Sequence, residues 1–197
     1  DLNSALALKT EHLSAYNLTY EPNTAMTARL KRGEFTKADE DLEVDMYMLA
    51  LATLRARGYE RYETSNYAVS PAAQCRHNLA YWRQEPWLAA GPSASGFFAG
   101  HRWKNIPRLD GYLAGSERGL PPVLEHEPPD ARRLLIERVM TGMRLLEGLD
   151  AARVLNDAGE ISALLPGTLS KLHDQLRNEG LLSRRSTDAR WILNDKG

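Results

Sequence analysis

"DLEVDMYMLALATLRARGYERYETSNYA", Asp41 to Ala68, decides how the chain is read, because a helix with both ends marked runs into a strand. Leu42, Met46, Leu49, Ala50 and Leu54 recur every three to four residues, which places them on one helical face. Glu40, Asp41, Glu43 and Asp45 stand at the front, where carboxylates suit the positive end of a helix better than they suit a metal. Arg55 and Arg57 stand near the back, and Gly58 follows as a stop. "YERYETSNYA" then reads as a strand entering a turn.

Upstream, "HLSAYNLTY" (His12 to Tyr20) is rich in aromatic and small residues and stops at Glu21-Pro22, as a strand feeding a loop would. The loop is expected to continue through Gly33. Strand, helix and strand in that order predict a βαβ unit of a parallel α/β sheet or barrel, in which binding groups collect at the carboxyl ends of the strands. On that rule "LTYEPNT" and "TSNYA" lie on the working face. Still further upstream, "DLNSALALKTEH" has neither the basic region nor the apolar core of a signal peptide, and Leu2, Ala5 and Leu6 read as the end of a helix. The expectation is a cytoplasmic protein, of which this chain is a fragment.

Downstream, "HNLAYW" suits one or two helical turns, "AAGPSASGFF" a small-residue loop, and "IPRLDGYLAG" a helix with Pro107 near its start. "GLPPVLEHEPPD" holds four prolines in twelve residues and reads as a connection between domains. After Asp130, the stripe of Leu134, Leu135, Val139, Met143 and Leu146 predicts a helix ending by Gly148. "AARVLNDAG" and "GTLSKLHDQLRNEG" add two more, and "LLSRRSTDARWIL" a hairpin turning near Thr187-Asp188. Helices followed by a two-stranded wing make a winged-helix-like module.

At 197 residues, 43% hydrophobic and 26% charged, with a formal net charge of -1, the chain has the profile of an ordinary globular protein. That balance points to neither nucleic acid nor an anionic membrane as the main partner, and no apolar run has the length of a membrane span. Arg177, Arg184, Arg185 and Arg190 cluster on the last helix and wing, yet Asp174, Glu179, Asp188 and Asp195 are interleaved with them, so a solvated face is favoured over a DNA-binding one. The single cysteine, Cys75, excludes an internal disulfide and any all-cysteine metal site built by one chain.

The chemically densest stretch is "CRHNLAYW", Cys75 to Trp82. His77 has two readings: a helix-start histidine bonded to local backbone above packed Tyr81 and Trp82, or an imidazole donor to iron with aromatic rings beside a macrocycle. In a helix His77 and Tyr81 share a face.

"HLSAYNLTYEPNT", "GYERYETSNYA", "CRHNLAYW", "GPSASGF" and "GMRLLEGLD" together resemble, in order and spacing, the oxygen-independent coproporphyrinogen III oxidase-like family of radical S-adenosylmethionine (SAM) proteins, over nearly the whole chain. The resemblance implies an α/β fold: residues 1–122 as the second half of a partial (β/α) barrel, and 125–197 as a small helical, winged-helix-like C-terminal domain. Members hold a [4Fe-4S] cluster on three closely spaced cysteines, which this chain does not contain. Tyr16, Asn17 and Thr19 are similar to the strand beside the adenosine of SAM, and Ser95 to another position on the SAM side. Two functions follow from the family. One is decarboxylation of coproporphyrinogen propionates by a 5'-deoxyadenosyl radical. The other is binding of haem and its delivery to a haem-accepting protein, and the string "HNLAYW" is similar to that haem-chaperone branch. On this reading His77 is the first candidate for the iron, Cys75 the alternative, Tyr81 the flanking ring, and Asn78 orients a loop or a propionate. A winged-helix DNA binder is a distant third. A homodimer is the remaining partner expected.

Overall fold

The structure is a computed structural model and describes residues 1–119, 121–183, 185–187 and 189–194. The chain divides into two compact units, Asp1–Cys75 and Arg76–Gly197. Arg184, Asp188 and Asp195 of the expected charged wing lie outside the described residues.

The first unit contains α1 (Leu2–Ala7), β1 (His12–Ser14), α2 (Ala25–Lys31), α3 (Glu40–Ala56), β2 (Glu60–Arg61), β3 (Asn66–Ala68) and one 3₁₀ turn, Pro71–Ala73. Helix α3 begins where the sequence marks it: Asp39 caps it, accepting the Leu42 N–H at 2.8 Å, with Glu40, Asp41 and Glu43 in the first turn. It ends before Gly58, whose φ of +82° suits the residue without a Cβ. The apolar stripe, however, is covered only at its far end. Leu51 and Leu54 are buried with Leu6, Tyr59 and Tyr67, while Leu42, Met46 and Leu49 are exposed. A helix of this length spans about 25 Å, and strands of two or three residues reach only about 10 Å along it.

Strand, helix and strand follow in the expected order, but the expected parallel pairing is not what forms. The sheet order is β1-β3-β2, and β3 is antiparallel to both neighbours. The chain reverses between Arg61 and Asn66, so the returning strand must run against β2. It then offers its other edge to β1. Strands β1 and β2 thus run in the same direction with β3 inserted between them, a split βαβ arrangement. Helix α2 interrupts the stretch read as loop.

The second unit contains α4 (Arg76–Trp82), β4 (Ser95–Phe98), β5 (His101–Asn105), α5 (Leu109–Glu117), β6 (Val123–Glu127), α6 (Ala131–Gly142), β7 (Leu149–Asp150), α7 (Ala151–Ile161), α8 (Leu165–Asn178) and β8 (Arg190–Trp191). One expectation is corrected here. "AAGPSASGFF" is not all loop: Ser95–Phe98 forms β4, joined to β5 through Ala99 and Gly100, both at positive φ (+50° and +79°), the two-residue hairpin geometry that matches strand twist. Within the proline-rich stretch, Val123–Glu127 forms β6, the edge partner of β5, with the prolines outside the paired residues.

Asp130 and Asp150 cap α6 and α7 through the N–H groups of Arg133 (2.7 Å) and Arg153 (3.0 Å). Ala151, Val154 and Ala158 of α7 are fully buried and pack with Leu135, Leu149 and Trp191. After α8 the chain makes the expected hairpin, with Leu182 bridging Leu193, and its return strand β8 pairs with β7. Arg190 and Arg185 are exposed and bond back to the turn before β7: Arg190 donates to the carbonyls of Glu147 (2.9 Å) and Gly148 (3.1 Å), and Arg185 to that of Leu146 (3.5 Å). Among the described residues no helix is long and apolar enough to cross a membrane.

Candidate functional site

The unit boundary falls inside "CRHNLAYW". Cys75, Tyr16, Asn17 and Thr19 belong to the first unit, and His77, Asn78, Tyr81 and Ser95 to the second.

In the first unit, strand β1 ends at Ser14, and Tyr16, Asn17 and Thr19 follow on an exposed segment outside the helices and strands. The Asn17 amide lies 3.5 Å from the Glu43 carboxylate. The polar interior is elsewhere. Glu63 is fully buried in the β2-β3 turn, where one carboxylate oxygen accepts the Ser65 N–H at 2.7 Å and the Asn66 amide at 2.5 Å. Asn66 in turn accepts the Ser14 hydroxyl at 2.6 Å, tying β1 to the turn. These bonds give the buried acid the donors it needs. Beside them the Tyr62 hydroxyl accepts the Cys75 N–H at 3.1 Å and lies 2.9 Å from His12 Nε2. The Cys75 thiol is half-buried.

Burial pushes His12 below its ordinary value, with the Glu63 charge opposing. Above pH ~6.5 both folded and unfolded imidazoles are neutral. As pH falls below that, the unfolded state takes up the proton first and stability is lost until the folded pKa is passed. The urea midpoint is therefore expected to drop between pH 7.5 and pH 5.5, and to drop less in His12→Gln; an equal drop in both proteins removes His12 as the cause.

In the second unit, His77 sits in the first turn of α4 with its ring exposed. The i,i+4 spacing brings it edge-on to Tyr81, ring centres 4.7 Å apart. Tyr81 continues onto Trp87 at 4.4 Å, and Trp87 onto Phe97 at 5.0 Å. The indole N–H of Trp87 donates to the Ser95 carbonyl at 2.9 Å, and its backbone exchanges hydrogen bonds with Phe97 at 2.8 and 2.9 Å. A ladder of four rings thus runs from an exposed imidazole to β4, and Ser95 meets it through its backbone. Asn78 is half-buried. Trp82 leaves the ladder and lies under the Arg144 guanidinium, 4.4 Å from the ring centre. At the far end Arg102 lies over Phe97 and forms a two-pronged pair with Glu137, 2.7 Å on each prong.

Trp87 and Phe97 were not among the residues singled out from the sequence. "QEPWLAAG" has no periodicity, and only the bridge between Trp87 and Phe97 brings the ring into line. The single cysteine does not fit a [4Fe-4S] cluster, and among the described residues no group of three or more histidine, cysteine or acidic side chains is placed to hold a metal ion. A single exposed imidazole does fit an axial donor. The His77 ring makes no hydrogen bond to a described residue, so its nitrogens are available.

No protein-family model matches the chain. It is 38% identical over 156 residues, 78% of its length, to heme chaperone HemW of Mycobacterium tuberculosis, and 29% identical over 176 residues, 88% of its length, to heme chaperone HemW of Bacillus subtilis. It covers 39% and 46% of those two proteins, so it spans less than half of each. All of the chain superposes on 47% of the radical SAM enzyme coproporphyrinogen III oxidase (HemN) of Escherichia coli, with a TM-score of 0.70 at 16% identity. The chain is therefore a homologue of the HemW proteins, corresponds to a portion of their length, and carries the fold of the coproporphyrinogen III oxidase-like radical SAM family.

Proposed function

We propose that the chain is part of a haem-carrying protein that binds haem through the α4 ladder and hands it to a haem-accepting protein in the cytoplasm. The observation that carries this reading is the exposed His77 imidazole held edge-on by Tyr81 at the head of an aromatic ladder, in a chain whose relatives include heme chaperones. Haem, when bound, supplies an iron that accepts an imidazole nitrogen and a flat apolar macrocycle that packs on aromatic rings. His77 would give the nitrogen, and its contact with Tyr81 limits how far the imidazole can turn. Tyr81 itself is braced by Trp87, which is locked to β4. Asn78 would orient a propionate through its amide, and Cys75 is the alternative donor.

By the same family reading, Tyr16, Asn17, Thr19 and Ser95 lie on the SAM side of the full-length protein, whose [4Fe-4S] cluster takes its ligands from outside this chain. Residues 1–122 would then belong to the barrel and 125–197 to the C-terminal domain. A second reading, oxidative decarboxylation of coproporphyrinogen III, is favoured by the superposition on HemN.

Titration of the full-length protein with haem, followed by the Soret band, tests the first reading. His77→Ala is expected to weaken binding by at least tenfold and to change the spectrum, with circular dichroism showing an intact fold. Equal affinity and an unchanged band remove His77 as the donor. An equally silent Cys75→Ser leaves "CRHNLAYW" as structure. Release of carbon dioxide from coproporphyrinogen III in the presence of SAM would bring the second reading forward.

A further inference from the structure

The second unit has a cavity of about 310 Å³ bounded by the end of α4, helix α6, the β7-α7 corner and β8. Its lining includes Trp82, Arg83, Arg138, Arg153 and Arg190. Their partners do not match their donors. Arg83 is answered in full by Glu147, at 3.0 and 3.1 Å. Arg190 uses one nitrogen on the two carbonyls of the 147–148 turn. Arg138 is paired with Asp157. The exposed Arg153 guanidinium has no partner among the described residues, although its backbone N–H is taken by Asp150.

Three acids also line the cavity, and two are engaged: Glu147 by Arg83, Asp150 as the cap of α7. Glu85 is the one left, against a whole guanidinium from Arg153 and the unused nitrogens of Arg138 and Arg190. One further observation points the same way. Burial, and the Arg153 charge near it, push Arg138 below the usual arginine range, so the two like charges that line the cavity disfavour one another. An anion between them would relieve both.

We infer that this cavity is a site for an oxyanion, the carboxylate or phosphate group of a small ligand, gripped by Arg153, Arg138 and Arg190. Guanidinium forks match both anions in geometry and hold them by charge-assisted bonds. The volume is at the small end for a ligand pocket, so it suits one charged end of a ligand better than a whole macrocycle. The α7 N-terminus at the same corner adds its partial positive charge. The two sources of such a group are a porphyrin propionate and a phosphate ester or pyrophosphate.

The test titrates the intact chain with pyrophosphate by calorimetry, and with haem and haem dimethyl ester by absorbance. Binding of pyrophosphate, or tighter binding of haem than of its ester, is expected in one arm. That binding should weaken about tenfold or more in Arg153→Ala. Arg57→Ala, on the other unit, should leave it unchanged. Loss in Arg153→Ala of a preference for haem over its ester identifies the propionate. Arg153-dependent pyrophosphate binding by a chain that takes up no haem upholds the anion site and overturns the haem reading. Equal binding of haem and ester with no uptake of pyrophosphate overturns the anion site and leaves the haem reading standing, and an effect of Arg57→Ala as large as that of Arg153→Ala also overturns it.

Discussion

Replacing Trp191 by alanine is expected to lower the stability of the second unit by about 3–5 kcal/mol, the usual range for removing a buried tryptophan. Trp191 is 4% exposed and lies in the cluster formed by Leu135, Leu149, Ala151, Val154 and Ala158. Its ring also stacks on His173, centres 4.9 Å apart and planes 22° apart. The site has little means of collapsing onto the void. Ala151 and Ala158 have no side-chain length to extend into it, and Leu149 is fixed by its backbone pairing with Trp191 itself. His173, itself 6% exposed, would be left facing an empty space with its Nε2 already lacking a partner. Urea denaturation of the intact chain, read by circular dichroism, measures the change, which in a thermal scan amounts to a shift on the order of 10 °C. Trp191→Phe should recover part of the loss. A cost below about 1 kcal/mol for Trp191→Ala would show that β8 does not close this core.

How much of the architecture could be read in advance depended on whether a signal was local. Helices α3, α6 and α7 announce themselves, because the 3.6-residue period and an aspartate cap lie within the same short window. The β4-β5 hairpin does not, since its two-residue turn is Ala99-Gly100 and lacks the Asn or Asp that usually marks positive φ at the first position. The direction of β3 was hidden for a related reason. "YETSNYA" holds no Gly or Pro, and the reversal is held by the buried Glu63 side chain accepting from Ser65 and Asn66, a contact no periodicity reports.

The candidate site divides along the same line. The contact between His77 and Tyr81 was legible from a spacing of four within one helix. Trp87 and Phe97 join it only through strand pairing, and Arg138 and Arg153 share a cavity only because α6 and α7 pack together. The expectation of a barrel and its cofactors came from the family resemblance, because neither composition nor periodicity contains it.

Gly96 presents the second large effect. It lies directly opposite Trp103 in the β4-β5 pair, and a Cβ added there would stand 2.2, 2.4 and 2.7 Å from three atoms of the Trp103 ring. No side chain can coexist with the ring at those distances, and Trp103 cannot back away, because its backbone is held between β4 and β6. Gly96→Ala should therefore expel the ring and cost ~2–4 kcal/mol, combining overpacking with lost aromatic contact. Because β4 also carries Phe97 and the Ser95 carbonyl that hold Trp87, the near-ultraviolet circular dichroism of the ladder should change as well. A double-mutant cycle isolates the cause. In a Trp103→Ala background the same Gly96→Ala change meets no ring, and alanine in a strand interior is then favoured over glycine by about 0.5–1 kcal/mol, so the sign of the effect should reverse. Gly96→Ala remaining equally destabilising without the Trp103 ring would refute the steric account and move the requirement for glycine to the backbone of β4.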